Sequence, residues 1–84
     1  MNVMTAHAVY IIECGDGTYY TGYTTDIERR LAAHRDGTGA KYTRGRGPFE
    51  LLYVERFSTR SAALRREAEI KSYSRSRKEQ LLDG

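Results

Sequence analysis

Two short runs of β-branched and aromatic residues, Ala8-Val9-Tyr10-Ile11-Ile12-Glu13 and Thr18-Tyr19-Tyr20-Thr21-Gly22-Tyr23, flank the turn-forming connector Cys14-Gly15-Asp16-Gly17. This pattern reads as a β-hairpin and commits the first third of the chain to an antiparallel sheet. A chain of 84 residues buries only one modest core, so the remaining residues have to cover the hairpin. A single domain over residues 1–84, with its core from about 7 to 82, is expected.

The next segment, Thr25-Asp26-Ile27-Glu28, has the T-x-x-E form of a capping box and predicts a helix running to His34 or Arg35. Gly37, Gly39, Gly45 and Gly47 turn the stretch between Asp36 and Pro48 into a loop. Residues 50–56 (ELLYVER) predict a third strand. Ser58 or Thr59 can then cap a long helix to about Tyr73, and Ser74 or Ser76 opens a short last one, with Ser76-x-x-Glu79 as a second capping box. The expected fold class is α+β: a small three-stranded, mainly antiparallel sheet flanked by helices, in the order β-β-α-β-α-α.

Charged residues at 30% and a single proline exclude a disordered tail. The longest apolar run, Ala8 to Ile12, is far too short to span a membrane, and nothing resembles a signal peptide, so a cytoplasmic protein without a membrane partner is expected. The lone Cys14 makes no internal disulfide, and no Cys/His spacing suggests zinc. Net charge is only +3, but residues 1–28 hold Glu13, Asp16, Asp26 and Glu28 and no base, so all 14 Lys and Arg lie beyond them. Between Arg29 and Arg46 the bases Arg29, Arg30, Arg35, Lys41, Arg44 and Arg46 meet one acid, Asp36. Taken alone this is a solvated basic face; interleaved with glycines, it is also a stretch able to follow a phosphate backbone.

Helical geometry sorts the polar residues further. At about 100° per residue, Arg30 and His34 share the inward arc with Ile27 and Leu31, whereas Arg29 faces water. In the second helix Ala63, Leu64, Glu67, Ile70 and Lys71 occupy one arc of roughly 100°, with Glu67 near its centre and Glu69 outside it. A carboxylate on an apolar stripe is costly unless a cation, a metal or hydrogen bonds compensate it. An i,i+4 pair with Lys71, worth about 0.2–0.5 kcal/mol, is the plainer explanation. Arg30 as an ion-pair partner and His34 as a satisfied histidine are the corresponding plain readings there. Tyr10 and Tyr20 suit half-buried strands without any further role, although Gly22, on the same strand face as Tyr20, marks a close approach by a ligand or another backbone.

In order and spacing, Ala8-Val9-Tyr10, Tyr20-Thr21-Gly22, Tyr23-x-x-Asp26-Ile27-x-x-Arg30-x-x-x-His34 and the later Glu67 resemble a GIY-YIG nuclease domain. The resemblance runs from about Ala8 to Leu82 and is closest to small stand-alone bacterial members of that family. Ala8 replaces the first glycine of GIY and Thr21 the isoleucine of YIG, and neither change removes a chemical group that the family uses.

The resemblance implies an endonuclease that hydrolyses phosphodiester bonds with one divalent cation, Mg²⁺ or Mn²⁺, held by Glu67 alone. It implies Tyr10 as general base, its phenol shifted toward neutrality by Arg30 and the metal. Arg30 then stabilises charge on the phosphate, Tyr20 orients water or phosphate, and His34 binds the phosphate or Tyr10. Lys41, Arg44 and Arg46, with Lys71, are the candidates for contacts to the nucleic-acid backbone. The expected activity is structure-selective or weakly specific cleavage of DNA, in repair or recombination. The alternatives are a non-catalytic nucleic-acid-binding module that keeps the nuclease fold and, ranked last, a protein adaptor using the alanine-rich second helix.

Overall fold

The computed structural model describes residues 6–83; residues 1–5 and 84 of the expected domain lie outside the described residues. Strands β1 (His7–Glu13), β2 (Tyr19–Thr24) and β3 (Glu50–Phe57) combine with helices α1 (Ile27–Arg35), α2 (Arg60–Lys71) and α3 (Arg75–Asp83), giving the order read from the sequence. The sheet order is β2-β1-β3, and both pairings are antiparallel. Among the described residues no helix is long and apolar enough to cross a membrane.

The central position of β1 follows from its composition. Ala8, Val9, Tyr10, Ile11 and Ile12 form an unbroken apolar run, which suits a strand covered on both faces, and each of them is buried. On one face Val9 and Ile11 pack against Ala63 and Ile70 of α2, with Tyr19, Tyr23, Tyr53, Phe57, Tyr73, Leu81 and Leu82 around them. On the other, Ala8, Tyr10 and Ile12 lie opposite Thr24, Gly22 and Tyr20 of β2. That face is closed by His34 of α1 and by the loop between α1 and β3, whose Thr43 is buried. Between Ile11 and Ile12 the β1–β3 pairing jumps from Tyr53 to Leu51, so Leu52 is the extra residue of a bulge.

Local chemistry moves two expected boundaries and chooses between the caps expected at the other two helices. Asp16 accepts hydrogen bonds from the Thr18 backbone N–H (3.2 Å) and hydroxyl (2.7 Å), which holds Thr18 in the turn and starts β2 one residue late. The capping box at Thr25-x-x-Glu28 does not form. Thr24 Oγ1 accepts from the Asp26 N–H (3.0 Å), and Asp26 then becomes the N-cap, accepting from the Arg29 N–H (3.1 Å). Thr59 caps α2 through the Ala62 N–H (3.1 Å). At α3 it is Ser74 that accepts from the Arg77 N–H (3.1 Å), and Glu79 pairs with Arg75 instead of closing a box with Ser76.

Candidate active site

Tyr10 stands at the middle of the central strand and is 1% exposed. Its ring fits there because its cross-strand partner is Gly22, where a β-carbon would strike the phenol. The glycine thus marks a close approach, and what approaches is the Tyr10 side chain. Tyr20 projects on the same face, its ring centroid 6.4 Å from that of Tyr10.

Helix α1 supplies the next two groups. His34, also 1% exposed, places Nε2 2.7 Å from the Tyr10 hydroxyl and meets the Tyr20 ring edge-on, with centroids 5.3 Å apart. Arg30, one helical turn earlier and half-buried, donates to the Gly39 carbonyl (3.3 Å). Arg29 is exposed, as the wheel requires. An open polar groove of about 400 Å³ runs beside Arg29 and Arg30 and is closed at one side by Thr38 and Gly39.

The carboxylate from α2 also faces inward. The Glu67 side chain is 17% exposed against 53% for Glu69. Lys71 Nζ lies 2.9 Å from Glu67 Oε2, so the plain i,i+4 pair is present, but the lysine itself is solvent-facing. Both Arg30 and Glu67 act on the Tyr10 phenol, with opposite signs.

The side chains around it hold the Tyr10 phenol well above its ordinary pKa. Burial is the largest cause; the Tyr20 phenol and the Glu67 carboxylate add to it, and Arg30 opposes them without overcoming the desolvation. His34 is pushed below the ordinary histidine value, first by burial and then by Arg30, so its imidazole is neutral at pH 7.

The loop cations have unequal positions. Lys41 and Arg44 are exposed. Arg46 is engaged: it pairs with Asp16 in the hairpin turn, donates from Nε to the Tyr42 carbonyl (2.7 Å) and lies over the Tyr42 ring at 4.3 Å. Tyr42 in turn stacks on Tyr20, with centroids 5.9 Å apart. Four residues that sequence reasoning passed over therefore help to build the site. Tyr42 and Phe49 enclose Tyr20 and His34, Thr43 binds His34 Nδ1 at 2.8 Å, and Gly39 lies so close that a β-carbon there would come within 2.7 Å of that nitrogen. Only the glycine carried a usable signal, as one of several in the loop.

The family profile described as the GIY-YIG catalytic domain matches residues 6–80. The chain belongs to the GIY-YIG family. The match makes it a member of a nuclease family and covers every residue of the cluster around Tyr10. Among relatives of this GIY-YIG chain, a UPF0213 protein of Haloquadratum walsbyi is 62% identical over 92% of this chain and 86% of its own length. A UPF0213 protein of Staphylococcus saprophyticus is 52% identical over 94% and 96%. The solution NMR structure of a UPF0213 protein from Bacillus halodurans superposes with a TM-score of 0.62 at 56% identity, over 92% of this chain and 82% of that one. A protein from E. faecalis, also solved by NMR, gives 0.64 at 48% identity over the same shares. The relatives are thus small proteins from archaea as well as bacteria, a wider range than the bacterial members the motifs suggested.

Proposed function

We propose that this chain is one metal-dependent endonuclease domain over residues 1–84, acting in the cytoplasm on phosphodiester bonds of structured DNA, as in repair or recombination. The observation that carries this reading is the buried Tyr10–His34 hydrogen bond, with one guanidinium and one carboxylate acting on the same phenol. Strand packing alone gives no reason to set a neutral imidazole against a buried phenol between opposite charges.

Tyr10 serves as the general base in a relay. The attacking water gives a proton to the Tyr10 oxygen as the phenol's own proton passes to His34 Nε2, 2.7 Å away. The oxygen–phosphorus bond to water forms, the bond to the leaving oxygen breaks, and the leaving oxygen takes a proton from solvent. This route avoids a free phenolate, which burial disfavours. Arg30 directs its donor fork at the charge that gathers on the phosphate, and Tyr20 orients the water or the phosphate by its hydroxyl.

Glu67 is the residue that would hold the divalent cation. Among the described residues no three carboxylate, histidine or cysteine side chains cluster, so a single inward carboxylate with water in the other positions is the donor set that fits. That set suits Mg²⁺, with Mn²⁺ as a substitute. When bound, the cation supplies polarisation of the phosphate and stabilisation of the leaving oxygen. Lys41, Arg44 and Lys71, all exposed, are the residues that would contact the backbone of the nucleic acid.

The Glu67–Lys71 pair favours the second reading, a nucleic-acid-binding module without catalysis, since it satisfies the carboxylate without metal. Incubation of the protein with branched, nicked and single-stranded DNA in Mg²⁺ or Mn²⁺, and in chelator, separates the two. The nuclease reading expects cleavage in metal only and its loss in Glu67→Ala. Binding without cleavage, or cleavage undiminished in Glu67→Ala, rejects it.

A further inference from the structure

The loop between α1 and β3 reaches into the site at one residue. Thr43, 1% exposed, places its hydroxyl 2.8 Å from His34 Nδ1 and 3.1 Å from the Ala40 carbonyl. A threonine hydroxyl has a single hydrogen, and a carbonyl oxygen can only accept. With its hydrogen on the Ala40 carbonyl, the Thr43 hydroxyl presents a lone pair toward His34. In that arrangement His34 Nδ1 carries the imidazole hydrogen, and Nε2 is bare and faces the Tyr10 hydroxyl.

We propose that Thr43 is a positioning residue: its hydroxyl fixes the His34 tautomer so that Nε2 accepts the Tyr10 proton. The proposal rests on the nuclease reading above. With the opposite tautomer, Nε2–H would donate to the Tyr10 oxygen, and the lone pair meant for the attacking water would be taken. The phenol's proton would then have no acceptor, because Tyr10 makes no other side-chain hydrogen bond among the described residues.

The surroundings favour this role over simple loop packing. Gly39 has no side chain to push the loop away from His34, and Arg30 clasps the Gly39 carbonyl at 3.3 Å. Arg46 anchors the far end of the loop to Asp16 of the hairpin turn. Thr43 is thus held from both sides at a nitrogen that bulk water does not reach, since His34 and Thr43 are both buried.

Long-range proton–nitrogen NMR of the His34 imidazole reads the tautomer directly. In the wild type, Nδ1 should be protonated and Nε2 bare. Thr43→Val keeps the shape but removes the acceptor; it should move the population toward Nε2–H and slow DNA cleavage about 10–100-fold while DNA affinity is unchanged. Thr43→Ser should restore both tautomer and rate, which a purely structural role would not require. If Thr43→Val does not fold, Thr43→Ala removes the same acceptor with less bulk and must shift the tautomer likewise. Nε2–H in the wild type, or an unchanged tautomer and rate in Thr43→Val, overturns the proposal. Failure of the wild type to cleave DNA retires the nuclease reading and the role of Thr43 with it, whereas the wrong tautomer in a cleaving wild type retires the proposal alone.

Discussion

A phenol buried among aromatic rings keeps its proton unless a neighbour can take it, and here that neighbour is a histidine made neutral by the same burial. The resemblance implied a phenol shifted toward neutrality by Arg30 and a metal, whereas the side chains present raise it. Desolvation depends on which groups close over the strand, and the loop that covers Tyr20 and His34 with Tyr42 and Phe49 carries no period. Arg30, His34 and Glu67 were legible because a helix repeats, and the wheel separated Arg30 from Arg29 and Glu67 from Glu69. Thr43 sits in the glycine-rich loop, where spacing says nothing of direction. At the same scale, Thr21 stands where the family pattern has isoleucine, and its hydroxyl is buried without a partner among the described residues. An unpaired buried hydroxyl costs about 1–3 kcal/mol. Thr21→Val should accordingly add about 1 kcal/mol of stability, read as a higher urea midpoint with no change in slope; a fall in stability would show that the hydroxyl has a partner.

The elements were largely legible because each carries its own local signal: a buried run for β1, turn residues before β2, hydroxyl or carboxylate caps before each helix. What moved were the boundaries, by single residues, where two capping side chains competed. Thr24 turns the chain at Asp26, so Asp26 and not Thr25 holds the first free N–H groups of α1. Since α1 carries both Arg30 and His34, its start sets the phase of two site residues at once. Thermal or urea unfolding distinguishes the two caps: Asp26→Ala should cost about 1 kcal/mol, and Thr25→Ala close to nothing. Equal losses would restore the T-x-x-E box.

At the scale of the molecule, the two faces of the sheet meet different partners. One face of β1 packs Val9 and Ile11 on α2, and the other presents Tyr10 to α1 and the loop. The charge asymmetry of the sequence has a matching asymmetry of use: of the loop bases, Arg46 is spent on the fold, and Lys41 and Arg44 remain exposed. If these contact phosphates, DNA affinity should fall with salt, and Arg44→Ala should reduce the slope of log K against log salt by about 1 without changing which DNA is preferred. A slope identical to wild type would remove Arg44 from the contact surface. The substrate is not legible in the sequence, because contacts to phosphates position a nucleic acid and read no bases.

On the proposed reading, Tyr10 does chemistry at this face and does not merely fill it. Single-turnover cleavage of branched DNA in Mg²⁺ by the wild type and by Tyr10→Phe, with folding and DNA affinity checked in both, tests it most directly. Loss of a general base predicts a rate lower by about 10²–10⁴-fold at unchanged affinity; a Tyr10→Phe protein that cleaves as fast as the wild type would contradict the account.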